Sequence, residues 1–567
     1  MEWTPLVKAQ DRVKSWINPT GFDVQKLRGL LMGNILSSTV GEVCAYRLLL
    51  QDIRGGELPS YVPDILIVSM SALEAIVTPF VSWWGFKNRR LLMISYTLMV
   101  MLTTTSLYFL PSAAVREESE FCDAANLNND LSYLGVSARS IIRLIFIIFS
   151  IVAFQLTRVV TWTHGIGYSD EYAPERTSVH YGALLLVRVL ILVIGNRLVA
   201  ELLENLQPVQ ISLVLFGYVL NFFKFFCVLP KQAPEVDGVQ KTQLPVIGRS
   251  FPLSMARVLS LSLVLKQSMA AGLLAAALWG IGYSQVQIAK VKFLLAPSAK
   301  LGLAEILLMM FIIFPVALAG VKFSVPVLKE YCKKKALKQI VIMTTFTFVF
   351  LVLLITLPKC DRGRVSGLGD YYYDHPQCSF SCGCKPTWSE FNPVCVTNNM
   401  TTYLSPCHAG CSSSETINGV LVYTNCSCAG GGPALLGACS VTNCDNQFLL
   451  HLILFVVVVT FSLLAFQAQG VLILKTVDPR DKSVATGLFL SVVVMISFVC
   501  GHLLFMSIRV ATCSWYEGGE CHVQSDLFPT VVGFTSCFFA LLSALISVVS
   551  LVLWKVYDNN DEGSTNL

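Results

Sequence analysis

The sequence predicts an all-α membrane protein of twelve transmembrane helices in two six-helix halves, with a small disulfide-rich domain outside the bilayer. Three observations carry that reading. The 567 residues are 54% hydrophobic and only 14% charged, with a mean hydropathy of +0.63, which is too apolar for one water-soluble core to hide. Uncharged windows close to the ~20 residues that a helix needs to cross a bilayer recur along the whole chain. Eleven cysteines crowd the one long polar stretch that interrupts those windows. The lipid bilayer is therefore the first partner that the composition implies.

The windows of the first half run from Leu27 to Leu50, Val62 to Phe86, Leu91 to Pro111, Ile141 to His164, Tyr181 to Leu203 and Val209 to Leu229. After a polar connector, those of the second half run from Met255 to Gly280, Leu301 to Phe323, Lys338 to Leu357, Phe448 to Leu474, Val484 to Ile508 and Leu527 to Tyr557. This order is similar to the major facilitator plan, in which two six-helix halves rock about a central site. The expected divisions are a cytoplasmic N-terminal segment, 1–27, and a first half, 28–230, joined by a cytoplasmic connector, 231–254, to a second half, 255–357 and 448–557. An extracellular domain, 358–447, interrupts the second half, and a short acidic tail, 558–567, is expected to be cytoplasmic and unstructured.

Cytoplasmic loops carry the excess of lysine and arginine. Lys87, Arg89 and Arg90 follow the second window, Lys329, Lys333, Lys334, Lys335 and Lys338 the eighth, and Lys475, Arg480 and Lys482 the tenth. All fall on one side, which places both termini in the cytoplasm and the long polar stretch outside. The region from Met1 to Arg28 is polar, mixed in charge and broken by Pro5, Pro19 and Gly21, so the first apolar helix is expected to target the chain. The net charge is only +5 and forms no basic stripe with interleaved aromatics, so nucleic acid is not an expected partner.

The eleven cysteines of the outside stretch are Cys360, Cys378, Cys382, Cys384, Cys395, Cys407, Cys411, Cys426, Cys428, Cys439 and Cys444. Some spacings suit zinc, but an oxidising exterior favours disulfides over a metal site. Eleven is odd, so one of them needs a partner elsewhere or stays free, and Cys122, in the outside loop before the fourth window, is the candidate partner. With Cys513 and Cys521 the outside cysteines number fourteen, so all can pair. Cys44, Cys227, Cys332, Cys500 and Cys537 lie in or beside apolar windows and are expected to be buried small hydrophobes. The sequons at Asn399 and Asn425 predict N-linked glycans in the same domain.

Several runs carry a family resemblance: Asn392-Pro-Val-Cys395, Thr402-Tyr-Leu-Ser-Pro-Cys407-His-Ala-Gly-Cys411 and Tyr423-Thr-Asn-Cys-Ser-Cys428. Together they resemble the Kazal-like loop of the organic anion transporting polypeptides. The resemblance continues at Gly165-Ile-Gly-Tyr-Ser-Asp170, at Val477-Asp-Pro-Arg-Asp-Lys-Ser-Val-Ala-Thr-Gly487 and at Cys513-Ser-Trp515 with Cys521. It implies sodium-independent transport of bulky amphipathic organic anions, such as steroid conjugates or eicosanoids, across the plasma membrane by alternating access. The family's Trp-rich signature before the sixth helix is replaced by Gln207-Pro-Val-Gln-Ile-Ser-Leu213, and its Arg-Gly-x-Gly run in the fourth helix is absent. An alternative is that the chain displays the Kazal-like domain as an interaction or protease-binding module with reduced or no transport.

Ionisable groups at bilayer depth cost roughly 2.5–3.5 kcal/mol each on insertion scales, so each needs a partner or an aqueous cavity. Arg143, Arg197, Lys224 and His451 lie near window ends, where snorkelling to the interface is expected. Glu42 is a further intramembrane candidate. Arg158, Arg188, Lys266, Glu74 and Glu305 lie deeper and form the candidate substrate site, with the arginines and lysine facing an anionic head group. The competing arrangement is a set of buried ion pairs, Glu74 with Arg158 and Glu305 with Lys266. No catalytic constellation, phosphate-binding loop or resident cofactor or metal site is evident, so an enzyme is not expected.

Overall fold

A computed structural model of the protein describes residues 24–54, 58–84, 89–108, 121–122, 138–203, 217, 250–295, 318–321, 333–361, 363–369, 372–382, 384, 391–417, 420–439, 444–517 and 520–564. Ten of the twelve predicted windows carry a helix among these residues. The sixth and eighth windows lie outside them, apart from Gly217 and residues 318–321. Seven helical runs among the described residues are long and apolar enough to cross a membrane.

The first half comprises α1 (Val24–Arg54), α2 (Val62–Trp84), α3 (Arg89–Tyr108), α4 (Ala138–Val160), α5 (Ile166–Tyr172) and α6 (Thr177–Leu203). A π-helical turn, Thr161–Gly165, joins α4 to α5 without a break. In and beside it Thr157, Thr161 and Thr163 each return a hydroxyl to the carbonyl four residues back, a bond that competes with the backbone ladder. A π turn inserts one residue and rotates everything after it on the helix face. α1 packs on α4 and α6, and α2 and α3 pack on α4.

The second half comprises α7 (Phe251–Ser260), α8 (Ser262–Phe293), α9 (Lys333–Thr356), α10 (Cys444–Thr476), α11 (Lys482–Val494), α12 (His502–Ala511) and α13 (Leu527–Ser564). A second π segment, Met495–Gly501, connects α11 to α12. α13 packs against α8 and α9, and α9 packs against α10. Among the described residues the halves meet where α2 packs against α11 and the second π segment, where α11 packs against the first π turn, and where α6 packs against α10. α13 stays helical to Ser564, which corrects the expected unstructured tail: no proline or glycine falls between Gly533 and Gly563 to stop the helix.

Between α9 and α10 lies a six-stranded sheet in the order β1-β3-β2-β6-β5-β4. Its strands are β1 (Arg364–Val365), β2 (Val394–Val396), β3 (Thr401–Tyr403), β4 (Ser413–Ile417), β5 (Val420–Thr424) and β6 (Ala434–Leu436). Strands of two to five residues cannot bury much apolar surface, and covalent bonds replace what the core lacks. Val394, Val396, Tyr403, Ala409, Tyr423 and Ala434 form the small core. Cys378–Cys428, Cys384–Cys407, Cys395–Cys439 and Cys411–Cys426 cross-link the domain internally. Cys360–Cys444 closes its base. Cys122 bonds to Cys382 and donates its backbone N–H to the Cys411 carbonyl at 2.8 Å, so a residue between α3 and α4 is covalently part of the domain.

The hairpin of β7 (Cys513–Glu517) and β8 (Glu520–Gln524), closed by Cys513–Cys521, links α12 to α13. Trp515 on this hairpin stacks on Tyr373 of the domain at 5.0 Å, and Tyr373 N–H bonds the Ser514 carbonyl at 3.2 Å. Within the domain, burial and the neighbouring His375 hold the His408 imidazole down at about 3. Asn399 and Asn425 are both exposed.

Of the cysteines expected to be buried, Cys44 and Cys537 are, whereas Cys500 is exposed. Cys500 lies within the second π segment. Cys227 and Cys332 lie outside the described residues.

Candidate functional site

Four helices of the first half converge on one group of charges. Arg158 of α4 forks between two carboxylates, with Nη1 on Glu42 Oε1 of α1 and Nη2 on Glu74 Oε2 of α2. Charge-assisted forks of this kind are strong and directional. Arg188 of α6 approaches Glu42 Oε2 at 3.6 Å, and its Nη1 makes no hydrogen bond although it is buried. The Arg188 side chain keeps 17% of its surface exposed against 9% for Arg158. One arginine is therefore fully committed to protein partners, and the other is held loosely beside them.

The Glu74–Arg158 pair forms, and Glu42 joins it as a second acceptor. Lys266 is half-buried on α8 with no ion-pair partner among the described residues. Glu305 lies outside the described residues, so the Glu305–Lys266 pairing does too. Arg143 does not snorkel: it reaches Asp52 of α1 at 3.0 Å with both side chains buried, because a carboxylate one helix away compensates its charge more fully than the interface does. His451 is likewise buried, with Nε2 3.3 Å from Gln285 Oε1. The side chains of Arg197 and Lys224 lie outside the described residues.

Two further polar groups bridge the halves, one at each end. Toward the disulfide domain, Asp64 of α2 accepts from the Tyr283 hydroxyl of α8 and lies 3.3 Å from His502 Nε2 and 3.9 Å from Arg509 Nη1, both on α12. Trp279 Nε1 donates to His502 Nδ1 at 3.1 Å. That bond makes Nδ1 the acceptor, so the proton of a neutral His502 sits on Nε2, facing Asp64. At the opposite end, Asp170 of α5 bonds Lys475 of α10 at 2.7 Å and also Lys482 of α11. Beside them, Gln467 of α10 donates to the Ser178 carbonyl of α6 at 2.9 Å.

Sequence reasoning did not place Asp52 or Asp64 in any site, and it took Lys475 and Lys482 only as markers of orientation. Asp64 sits in the first turn of an apolar helix, and a carboxylate there is the signal that was available. Nothing local marks its partners, which lie more than two hundred residues away in the chain.

The model of the Organic Anion Transporter Polypeptide (OATP) family matches residues 231–526, just over half of the 567 residues. The chain belongs to this family. The human solute carrier organic anion transporter family member 2B1 is 30% identical over 195 residues, which are 30% of this chain and 27% of that protein. Human family member 1B3 is 29% identical over 249 residues, 40% of this chain and 35% of that protein. Drosophila melanogaster member 74D is 25% identical over 189 residues, 32% of this chain and 22% of that protein. The matches thus span between 22% and 35% of these OATP relatives' length.

Among solved structures, a bacterial homologue of the iron transporter ferroportin in the outward-facing state aligns with a TM-score of 0.48 at 13% identity, covering 92% of this chain and 98% of that one. The major facilitator transporter FucP in the outward conformation aligns at 0.45 and 10%, covering 91% and 98%. The segment matched by the OATP model contains the disulfide domain, Lys475 and Lys482, and the α8 to α12 side of the Asp64 group. The charges at Glu42, Glu74, Arg158 and Arg188 lie before it.

Proposed function

We propose that this OATP-family chain carries amphipathic organic anions, such as steroid conjugates or eicosanoids, across the plasma membrane without sodium, by alternating access between two six-helix halves. The observation that carries the proposal is Arg188. A buried guanidinium with an unused N–H, beside an arginine already neutralised by two carboxylates, offers an anion the one incomplete coordination in the cluster. Burial of an unmade donor costs on the order of 1–3 kcal/mol, and a ligand oxygen recovers it. On this reading Arg158 and Glu74 position the site instead of contacting the substrate, Arg188 binds it, and Lys266 and Glu305 are contributed by the second half.

The bridging groups at Asp64 and Asp170 support alternating access, since each joins the halves at one end and must part for that end to open. The Kazal-like domain then faces outward with glycans on Asn399 and Asn425, and both termini face the cytoplasm.

The test is uptake of a labelled steroid sulfate by cells expressing the chain, beside Arg188→Ala at matched surface level. Saturable uptake that the variant loses by at least tenfold is the expected result. Absence of uptake by the parent, with the protein verified at the surface, sinks the proposal and leaves the display of the Kazal-like domain as the better account.

A further inference from the structure

Pro252 falls in the first turn of α7, and Leu261, in extended backbone at ψ 92°, ends the helix before α8 begins. The break frees α7 from the axis of the span that follows. At about 100° of turn per residue, the buried Ser254 and Val258 and the half-buried Phe251 and Met255 share one side of the helix. The exposed residues fill the opposite arc in the order Leu259, Pro252, Ala256, Ser260, Leu253 and Arg257. That arc is apolar apart from one serine, and a cation stands at its rim. An apolar arc edged by a basic residue suits the boundary between acyl chains and headgroups better than it suits water.

What lies beside the arc identifies its occupant. On the membrane-length helix α2, exposed Ile65, Leu73, Ile76, Phe80 and Trp84 recur along one face, as a lipid-facing stripe does. Phe80, in that stripe, stacks on Phe251 of α7 at 4.4 Å, and Trp83 meets the same ring edge-on at 5.9 Å. The exposed arc of α7 therefore continues the lipid-facing surface at the end where Trp84 closes α2, the depth at which tryptophans collect. Arg257 Nε and Nη2 donate to the two oxygens of Asp481 at 2.8 and 2.9 Å, and Nη2 also donates to Ser254 Oγ at 3.1 Å. Nη1 has no partner among the described residues, and the side chain is 44% exposed. We propose that the exposed face of α7 is a lipid-docking surface, with Leu253 and Leu259 among the acyl chains and Arg257 Nη1 on the headgroup phosphate of an anionic phospholipid. A guanidinium can hold a carboxylate and a phosphate together, because its N–H groups fan out in one plane. Asp481 stands at the N-cap of α11, so Arg257 ties the start of that helix to the membrane surface. In the orientation proposed above this is the cytoplasmic leaflet, whose anionic lipids attract basic residues. The inference requires no particular substrate and holds whether or not the chain transports.

The experiment uses the full chain in nanodiscs of phosphatidylcholine, with and without phosphatidylserine. A benzophenone amino acid in place of Leu253 is irradiated, and its adducts are identified by mass. Adducts to phospholipid are expected; adducts only to other segments of the chain, or none at all, mean that protein or water covers this face and overturn the proposal. Hydrogen exchange of the α7 amides reads the arginine contact. In the parent, phosphatidylserine is expected to slow that exchange about fivefold, the factor that one arginine at an anionic surface supplies. Asp481→Asn keeps the guanidinium and is expected to keep this lipid dependence, whereas Arg257→Gln is expected to lose it. Equal exchange in the two lipid mixtures for the parent overturns the phosphate contact, and so does a response that Arg257→Gln retains in full. If either variant fails to fold, the adducts and the lipid comparison on the parent decide the matter alone.

Discussion

Arg158 and Arg188 carry the same charge on neighbouring elements of the first half, and their partners make them different residues. Removing Arg158 leaves two buried carboxylates, Glu42 and Glu74, with only the more distant Arg188 to balance them. Loss of one partner from a buried pair costs about 3–5 kcal/mol, so Arg158→Ala is expected to lower the thermal unfolding midpoint of the purified protein sharply. Arg188→Ala removes a charge that repels Arg158 and has only a 3.6 Å carboxylate neighbour. Its stability cost is expected to be the smaller of the two, measured side by side in the same detergent. His408 makes a separate prediction. Its folded value of about 3 lies below the ordinary 6.5, so between those values the unfolded chain holds the extra proton. Stability of the disulfide domain is then fully present above pH 6.5 and falls as pH drops toward 3, by up to about 1.4 kcal/mol per pH unit. Hydrogen exchange of β2 and β3 amides across that range checks the sign.

At the scale of elements, the halves meet where side chains are smallest. A Cβ at Gly487 of α11 would collide with Ser82 of α2 and sit 3.3 Å from the Thr78 carbonyl, and one at Gly470 of α10 would collide with Tyr181 of α6. Small residues let helices approach in a membrane. Overpacking such a contact costs typically ~1–3 kcal/mol. Gly487→Val is therefore expected to reduce uptake of a labelled steroid sulfate several-fold at matched surface level, while Gly29→Ala, where nothing lies within 4 Å, leaves it unchanged. The two π segments act at the same scale. Arg158 lies just before the first and His502 just after the second, so each helix changes register beside a residue that bonds to another helix.

For the whole molecule, the disulfide domain and the Asp170 group lie at opposite ends. Asp170→Asn weakens the hold on Lys475 and Lys482, which is expected to open that end more often. A Ser178→Cys reporter beside the Gln467 contact should then react with a water-soluble maleimide several-fold faster in the Asp170→Asn background; an equal rate argues against a latch. At the other end, Cys122→Ser should leave Cys382 as one additional reactive thiol per chain, detected by peptide mapping. Loss of a disulfide from a small domain costs typically 2–5 kcal/mol, and the same variant is expected to exchange the Cys411 region faster, since Cys122 N–H also bonds that backbone.

By itself the sequence marked where apolar windows lie, that a cysteine-dense stretch interrupts the later ones, and that Glu74, Arg158 and Arg188 sit deep in theirs, with Glu42 as a further intramembrane candidate. Composition and spacing suffice for these because bilayer thickness and the cost of buried charge act on local stretches of chain. Only the tertiary structure decided which charges meet. The depth of Arg158 is legible from its window, but its direction around α4 depends on packing, and its two carboxylates come from segments 116 and 84 residues away. The same limit hid the partners of Arg143, Asp64 and Asp170. It also misplaced Cys500, whose apolar neighbours predict burial although its face of the helix points outward. A residue's place in its apolar window, at about 1.5 Å of rise per residue, shows how far into the membrane it lies; which neighbour it faces is fixed by how the helices pack.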